Sequence, residues 1–139
     1  MKKQLNVFLI DDNEIDLFVH REFLRISGIS NQISSFNYGG DALTLLSQKD
    51  LNEWPDLILL DLQMPVMDGF NFLKKLEKLN VDYSKKCKVI MISSTLSIID
   101  LAKVSAHPGV LELVSKPLDH LYLKELLAKK GILEEAVEG

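Results

Sequence analysis

Five side chains able to do polar chemistry stand at the ends of short apolar runs. Asp11 and Asp12 follow Val7–Ile10, Asp61 follows Leu57–Leu60, Ser93 follows Val89–Ile92, and Lys116 comes just after Val110–Val114. In an open α/β sheet, functional groups gather beyond the carboxyl ends of the strands, near the point where strand order reverses. Asp11, Asp12 and Asp61 brought together there would repel one another and raise some of their pKa values. A divalent cation resolves that conflict. The donors are hard oxygens with no His or Cys cluster beside them, which favours Mg2+, or Mn2+ in its place, over zinc or copper. A carboxylate is a weak nucleophile, yet a reactive phosphoryl donor can convert it to an acyl phosphate if the developing charge is neutralised. Asp61 is the best-placed acceptor. Lys116 and the Ser93 hydroxyl would hold the phosphoryl oxygens that the metal leaves free. Taken singly, each aspartate is better explained as a helix cap or turn residue; the joint placement with Lys116 carries the argument.

The elements that must position these groups alternate along the chain. Val7–Ile10, Leu57–Leu60 and Val89–Ile92 lack polar alternation, as expected of parallel strands covered on both faces by helices. The stretches 33–38 and 110–114 are less uniform and suit sheet edges. Between them, apolar spacings of three and four predict five helices. The first carries Ile15, Phe18, Val19, Phe23 and Ile26 as its apolar stripe and stops near Gly28. The others are marked by Ala42, Leu45 and Leu46; by Phe72, Leu73, Leu76 and Leu79; by Ile98, Leu101 and Ala102; and by Leu123, Leu126 and Leu127. Ser97 with Asp100, and Asp119, supply N-terminal caps for the last two. Strand and helix alternating five times implies right-handed crossovers and a three-layer α/β domain.

Length and composition agree. A chain of 139 residues with 47% hydrophobic and 26% charged content suits one globular domain. A formal charge of -4 offers no broad basic surface, so direct nucleic-acid binding is not expected. No apolar run reaches the ~18 residues that cross a bilayer, and the first ten residues lead into Asp11 and Asp12 rather than a cleavage site. The single cysteine, Cys87, makes neither a disulfide framework nor a thiolate zinc site. Together these place the chain in the cytoplasm and off the membrane. The expected organisation is one domain over residues 1–130 and an acidic tail over 131–139, with Glu134, Glu135 and Glu138.

The stretch from Asp61 to Gly69, with Met64-Pro65 and Asp68-Gly69, resembles the receiver domains of bacterial two-component response regulators. So do the Asp11-Asp12 pair, Ser93 and the Lys116-Pro117 step, in order and spacing. The resemblance runs from about Leu5 to Lys129 and is to the stand-alone, chemotaxis-regulator type. It implies the flavodoxin-like fold: a five-stranded parallel sheet in the order 2-1-3-4-5, flanked by five helices. It makes Asp61 the phosphoacceptor, Asp12 a direct Mg2+ ligand, Asp11 a ligand through water, and the main-chain carbonyl of Gln63 a third protein ligand. It also implies a cis Lys116-Pro117 peptide and a packing role for Met64 and Met67. Gln63 and Thr95 occupy positions where family members tune the access of hydrolytic water. The implied function is a phosphorylation switch in a phosphorelay, not an enzyme with turnover. Its phosphoryl donor is a histidine kinase or histidine phosphotransfer protein. Output is expected through the face of the fourth helix, last strand and fifth helix, a face that can also support a homodimer.

One position departs from the family. Switching there couples the hydroxyl residue, Ser93, to rotation of an aromatic ring three residues before the lysine, and that position is Leu113. The expectation is therefore a switch that uses the fourth helix and the loop before it. His20, His107 and His120 are expected in surface or turn roles. A haloacid-dehalogenase-type phosphohydrolase would want a second Asp two residues after its nucleophile; Asn13, Glu14 and Gln63 stand there instead. A receiver-like scaffold that binds partners without phosphorylation is the remaining alternative.

Overall fold

The computed structural model describes residues 2–134. Five strands, β1 (Asn6–Ile10), β2 (Gln32–Phe36), β3 (Leu57–Asp61), β4 (Lys88–Ser93) and β5 (Val110–Ser115), form one parallel sheet in the order β2-β1-β3-β4-β5. Helices α1 (Glu14–Ile26), α2 (Gly39–Ser47), α3 (Gly69–Leu79), α4 (Ile98–Val104) and α5 (His120–Lys129) make the crossovers. The expected three-layer architecture and strand order are both observed.

The uniform apolar runs lie at the sheet's centre because alternate side chains feed two separate cores. Phe8, Ile10, Ile58, Leu60, Val89 and Met91 point to the layer of α2 and α3, against Ala42, Phe72 and Leu76. Val7, Leu9, Leu57, Leu59, Ile90 and Ile92 point to the other layer, against Leu17, Leu24, Leu123 and Leu127 of α1 and α5. Each buried Leu or Ile contributes about 1.5–3 kcal/mol of transfer free energy. A one-residue slip of a central strand would exchange the side chains feeding the two cores.

Two helices turn faces other than those expected. In α1 the buried residues are Leu17, His20 and Leu24, whereas Ile15 and Ile26 are 73% and 77% exposed and Phe18 is 64% exposed. Two stripes at helical spacing overlap on this helix, and the sheet covers the one that the apolar count ranks second. His20 is therefore a buried residue, not a surface one. In α4 no residue is buried; Ile98 and Leu101 of the expected core stripe face outward, and Val104 alone packs against the α2–α3 core from the helix's last turn.

The helix ends follow their sequence signals. Ser97 Oγ accepts from the Asp100 N–H at 3.0 Å, and Asp119 Oδ1 accepts from the N–H groups of Leu121 and Tyr122. Gly28, at φ +77°, ends α1 in the left-handed conformation that glycine adopts at low cost. The stretch expected as a tail from residue 131 begins packed: Leu133 is buried, and the Glu134 N–H donates to the Lys2 carbonyl at 2.7 Å. Its last five residues lie outside those described.

Candidate functional site

Strand register brings the polar residues level. Ile10 pairs with Leu60, so Asp11 and Asp61 emerge side by side; Ser93 pairs with Ser115, and the Lys116 N–H donates to the Ser93 carbonyl at 2.8 Å. The loop after β3 folds back tightly onto the strand end. At Gly69, whose N–H donates to the Leu62 carbonyl, a Cβ would stand 3.0 Å from Leu62 Cα and 3.1 Å from the Asp61 carbonyl oxygen. No side chain fits there without displacing the acidic strand end.

Ligand oxygens of Asp11, Asp12 and Asp61 all lie within 4.8 Å of one another. Asp11 and Asp61 are buried, while Asp12 is exposed at the mouth. Lys116 lies between them, with Nζ 2.9 Å from Asp11 Oδ2 and 3.5 Å from Asp61 Oδ1. Asp16, from the first turn of α1, pairs with the same ammonium at 2.7 Å. Three carboxylates, those of Asp11, Asp16 and Asp61, thus share one ammonium. Burial first, and then the Asp11 carboxylate, push the Asp61 pKa up to about 7, against the opposing pull of Lys116 and the Gln63 backbone N–H. Burial acts to lower the Lys116 pKa, but hydrogen bonds to Asp16 and Asp11 outweigh it and hold the ammonium well above its ordinary value.

The donor set fits a small hard divalent cation. The carboxylates are close enough to share one ion, the Asp11 charge adds to burial in lifting Asp61, and added positive charge would oppose both. Such an ion would lie among Asp11, Asp12 and Asp61.

Ser93, at the end of β4, is fully buried; its hydroxyl donates to the Thr95 carbonyl and accepts from the Thr95 N–H at 3.2 Å. Across the mouth, Gln63 ties the loops after β3 and β4 together. Its Oε1 accepts from Ser94 Oγ at 2.9 Å, and its Nε2 donates to Thr95 Oγ1 at 3.1 Å. The Lys116-Pro117 peptide is cis, as the resemblance implied. Leu113 is buried in the α2–α3 core, Met67 is buried there too, and Met64 packs against it. His107 Nδ1–H donates to Glu77 Oε1 at 2.9 Å, and His120 packs against the Phe23 ring. His20 lies close enough to Asp11, Asp16 and Lys116 to feel their charges, although burial dominates and lowers its pKa.

Of the site residues expected from sequence, Asp11, Asp12, Asp61 and Lys116 meet at this end of the sheet, with Ser93 at the end of β4 and Gln63 in the loop after β3 beside them, whereas Leu113 lies in the α2–α3 core. Asp16 was not among them. A signal for it existed: it lies four residues past Asp12, in the first turn of the helix leaving the acidic strand end. Odd-numbered strand residues of β1 and β3 face the α1 layer, so Asp11 and Asp61 lean toward that helix.

The family model described as response regulator receiver domain matches residues 7–128. Among curated proteins, the chain is 29% identical over 126 residues to hybrid signal transduction histidine kinase L of Dictyostelium discoideum, covering 90% of this chain and 7% of that protein. It spans about a third or less of the length of such relatives. A response regulator receiver protein from Dyadobacter fermentans is similar in structure at TM-score 0.80 and 34% identity, covering 89% of this chain and 95% of that one. A two-component response regulator from Cytophaga hutchinsonii superposes at TM-score 0.83 and 30% identity, covering 97% and 100%.

Proposed function

The chain belongs to the response regulator receiver domain family, and on that premise we propose that it is a cytoplasmic phosphorylation switch whose acceptor is Asp61. The observation that carries this reading is the meeting of Asp11, Asp12 and Asp61 within 4.8 Å beside an ammonium that pairs with two of them. An Asp61 carboxylate oxygen attacks the phosphorus of a phosphohistidine on a kinase or phosphotransfer protein. The P–N bond breaks, and the departing imidazole takes up a proton. Asp12, Asp61 and the Gln63 carbonyl, with Asp11 through water, would hold Mg2+, which would supply charge neutralisation at the site. Lys116 contributes a charge-assisted hydrogen bond to a second phosphoryl oxygen. Ser93 contributes a neutral one once its hydroxyl leaves the Thr95 carbonyl. Catalysis here is positioning and electrostatics, without turnover of a separate substrate.

The output follows from what moving Ser93 disturbs. Its hydroxyl is bonded to Thr95, and Thr95 and Ser94 are bonded to Gln63, so a shift of Ser93 pulls on the loop leading into α4. With no fully buried residue, α4 moves at little cost in packing. Leu113 has no ring to rotate, and in this reading α4 and the loop before it carry most of the signal. A groove of about 310 Å3 along β5 is lined by Leu96, Leu113, Val114, Leu118 and Tyr122, and α4 leaves Ile98, Ile99 and Leu101 exposed. A downstream protein, or a second copy of the chain, docks there; nucleic acid does not.

Incubation with phosphoramidate and Mg2+, followed by intact mass measurement, tests the proposal. One base-labile phosphoryl group per chain, absent without divalent cation and absent in Asp61→Asn, is the expected result. A chain that takes up no label under these conditions is a scaffold rather than a switch.

A further inference from the structure

Lys116 is claimed by more carboxylates than its proposed role needs. Its shortest ion pair is with Asp16 at 2.7 Å, followed by Asp11 at 2.9 Å and Asp61 at 3.5 Å. The Asp16 side chain is 32% exposed, whereas those of Asp11 and Asp61 are 5% and 4% exposed, so the strongest of the three contacts draws the ammonium toward the mouth. Asp16 is fixed in this position by its backbone: its N–H donates to Asn13 Oδ1 at 3.0 Å in the N-terminal cap of α1. Among the described residues it is not one of the clustered cation donors, which are Asp11, Asp12 and Asp61.

We propose that Asp16 is a positioning residue that holds the Lys116 ammonium outward, competing with a phosphoryl group at Asp61 for the one lysine of the site. The inference rests on the switch reading above and sets how tightly that switch grips its phosphoryl group. When a divalent cation shares the charge of Asp11, Asp12 and Asp61, Asp16 is the carboxylate left to face the lysine alone. An arriving phosphoryl group must then win the ammonium from Asp16 and also approach past its negative charge. Both effects weaken the bound state. For the cation the sign reverses: Asp16 adds negative charge near the ion and offsets the charge of the ammonium that pairs with Asp11 and Asp61.

Opposite effects on two ligands give a test that a damaged pocket cannot imitate. In the full chain, Mg2+ affinity is measured by calorimetry from the metal-free state, and beryllofluoride affinity is then measured at saturating Mg2+. Asp16→Asn is expected to weaken Mg2+ binding and tighten beryllofluoride binding, each by about three- to fivefold, the scale of a half-exposed ion pair. Glu14→Gln removes a charge from the same helical turn at a side chain that faces Asn37 instead of the lysine, and is expected to change both by less than about twofold. Weakening of both ligands by Asp16→Asn, no change in either, or equal shifts from Glu14→Gln each overturn the proposal. Failure of the unaltered chain to bind beryllofluoride is a different result, which overturns the switch reading itself and the inference with it.

Discussion

Asp61→Asn should stabilise the metal-free protein, and the gain should depend on pH in a defined way. Burial, and after it the Asp11 carboxylate, lift the Asp61 pKa from 3.8 to about 7 even though Lys116 stands 3.5 Å away. A rise of about three units corresponds to about 4 kcal/mol of preference for the protonated form. The site mouth is open at Asp12, and screening there reduces the figure to about 2 kcal/mol. The folded-state value lies above the unfolded one, so the contribution of Asp61 is fully present below about pH 4 and is lost as pH rises through about 7. The amide of Asn carries no such loss. In chelator at pH 8, Asp61→Asn should melt about 4–8 °C higher than the unaltered chain, and at pH 4 the two should coincide. Saturating Mg2+ should shrink the gap by stabilising the carboxylate form selectively. Thermal unfolding followed by circular dichroism at the two pH values measures this. A variant that melts lower in chelator at pH 8, or a gain equal at both pH values, would refute the electrostatic reasoning.

Lys116→Met should slow labelling by phosphoramidate about 10- to 100-fold, the worth of a hydrogen bond from a charged group, as followed by the time course of intact mass. On α1, Ile15→Ser and Phe18→Ser should leave stability within about 0.5 kcal/mol in urea unfolding, while Leu24→Ala, in the core against the sheet, should cost about 2–5 kcal/mol. Equal losses at the two faces would contradict the observed orientation of the helix. Tyr83 Oη is buried without a hydrogen-bond partner among the described residues. Tyr83→Phe should therefore raise stability by about 1 kcal/mol. Gly109→Ala, whose Cβ would fall 2.2 Å from that hydroxyl, should lower stability by about 1–3 kcal/mol; both changes are read from denaturant midpoints.

The central sheet was legible because strands buried on both faces leave nothing to alternate, and the runs ending at Ile10, Leu60 and Ile92 read as strands directly. The polar residues after them were legible for the same reason: a charge placed straight after such a run stands at a strand end. Helix orientation was less legible. Ile15, Phe18 and Ile26 outnumber the apolar residues of the buried stripe, which includes His20, a residue whose polarity argues against burial. Periodicity says that a helix has an apolar face without saying which of two faces meets the sheet. In α4 the same limit appears with opposite effect, since a helix that packs weakly carries a stripe like that of one that packs well. Asp16 escaped notice because its role depends on the distance between the first turn of α1 and a lysine one hundred residues away. Strand order brings those two together, and local spacing carries no trace of it.

The account stands or falls on which atom receives the phosphoryl group. Borohydride reduction of the phosphorylated chain, followed by peptide mapping, converts an acyl phosphate of aspartate to homoserine and so marks the acceptor. The prediction is homoserine at position 61 alone, in protein treated with phosphoramidate and Mg2+. Homoserine at position 11 or 12, or a labelled chain in which Asp61 is recovered unaltered, would contradict it.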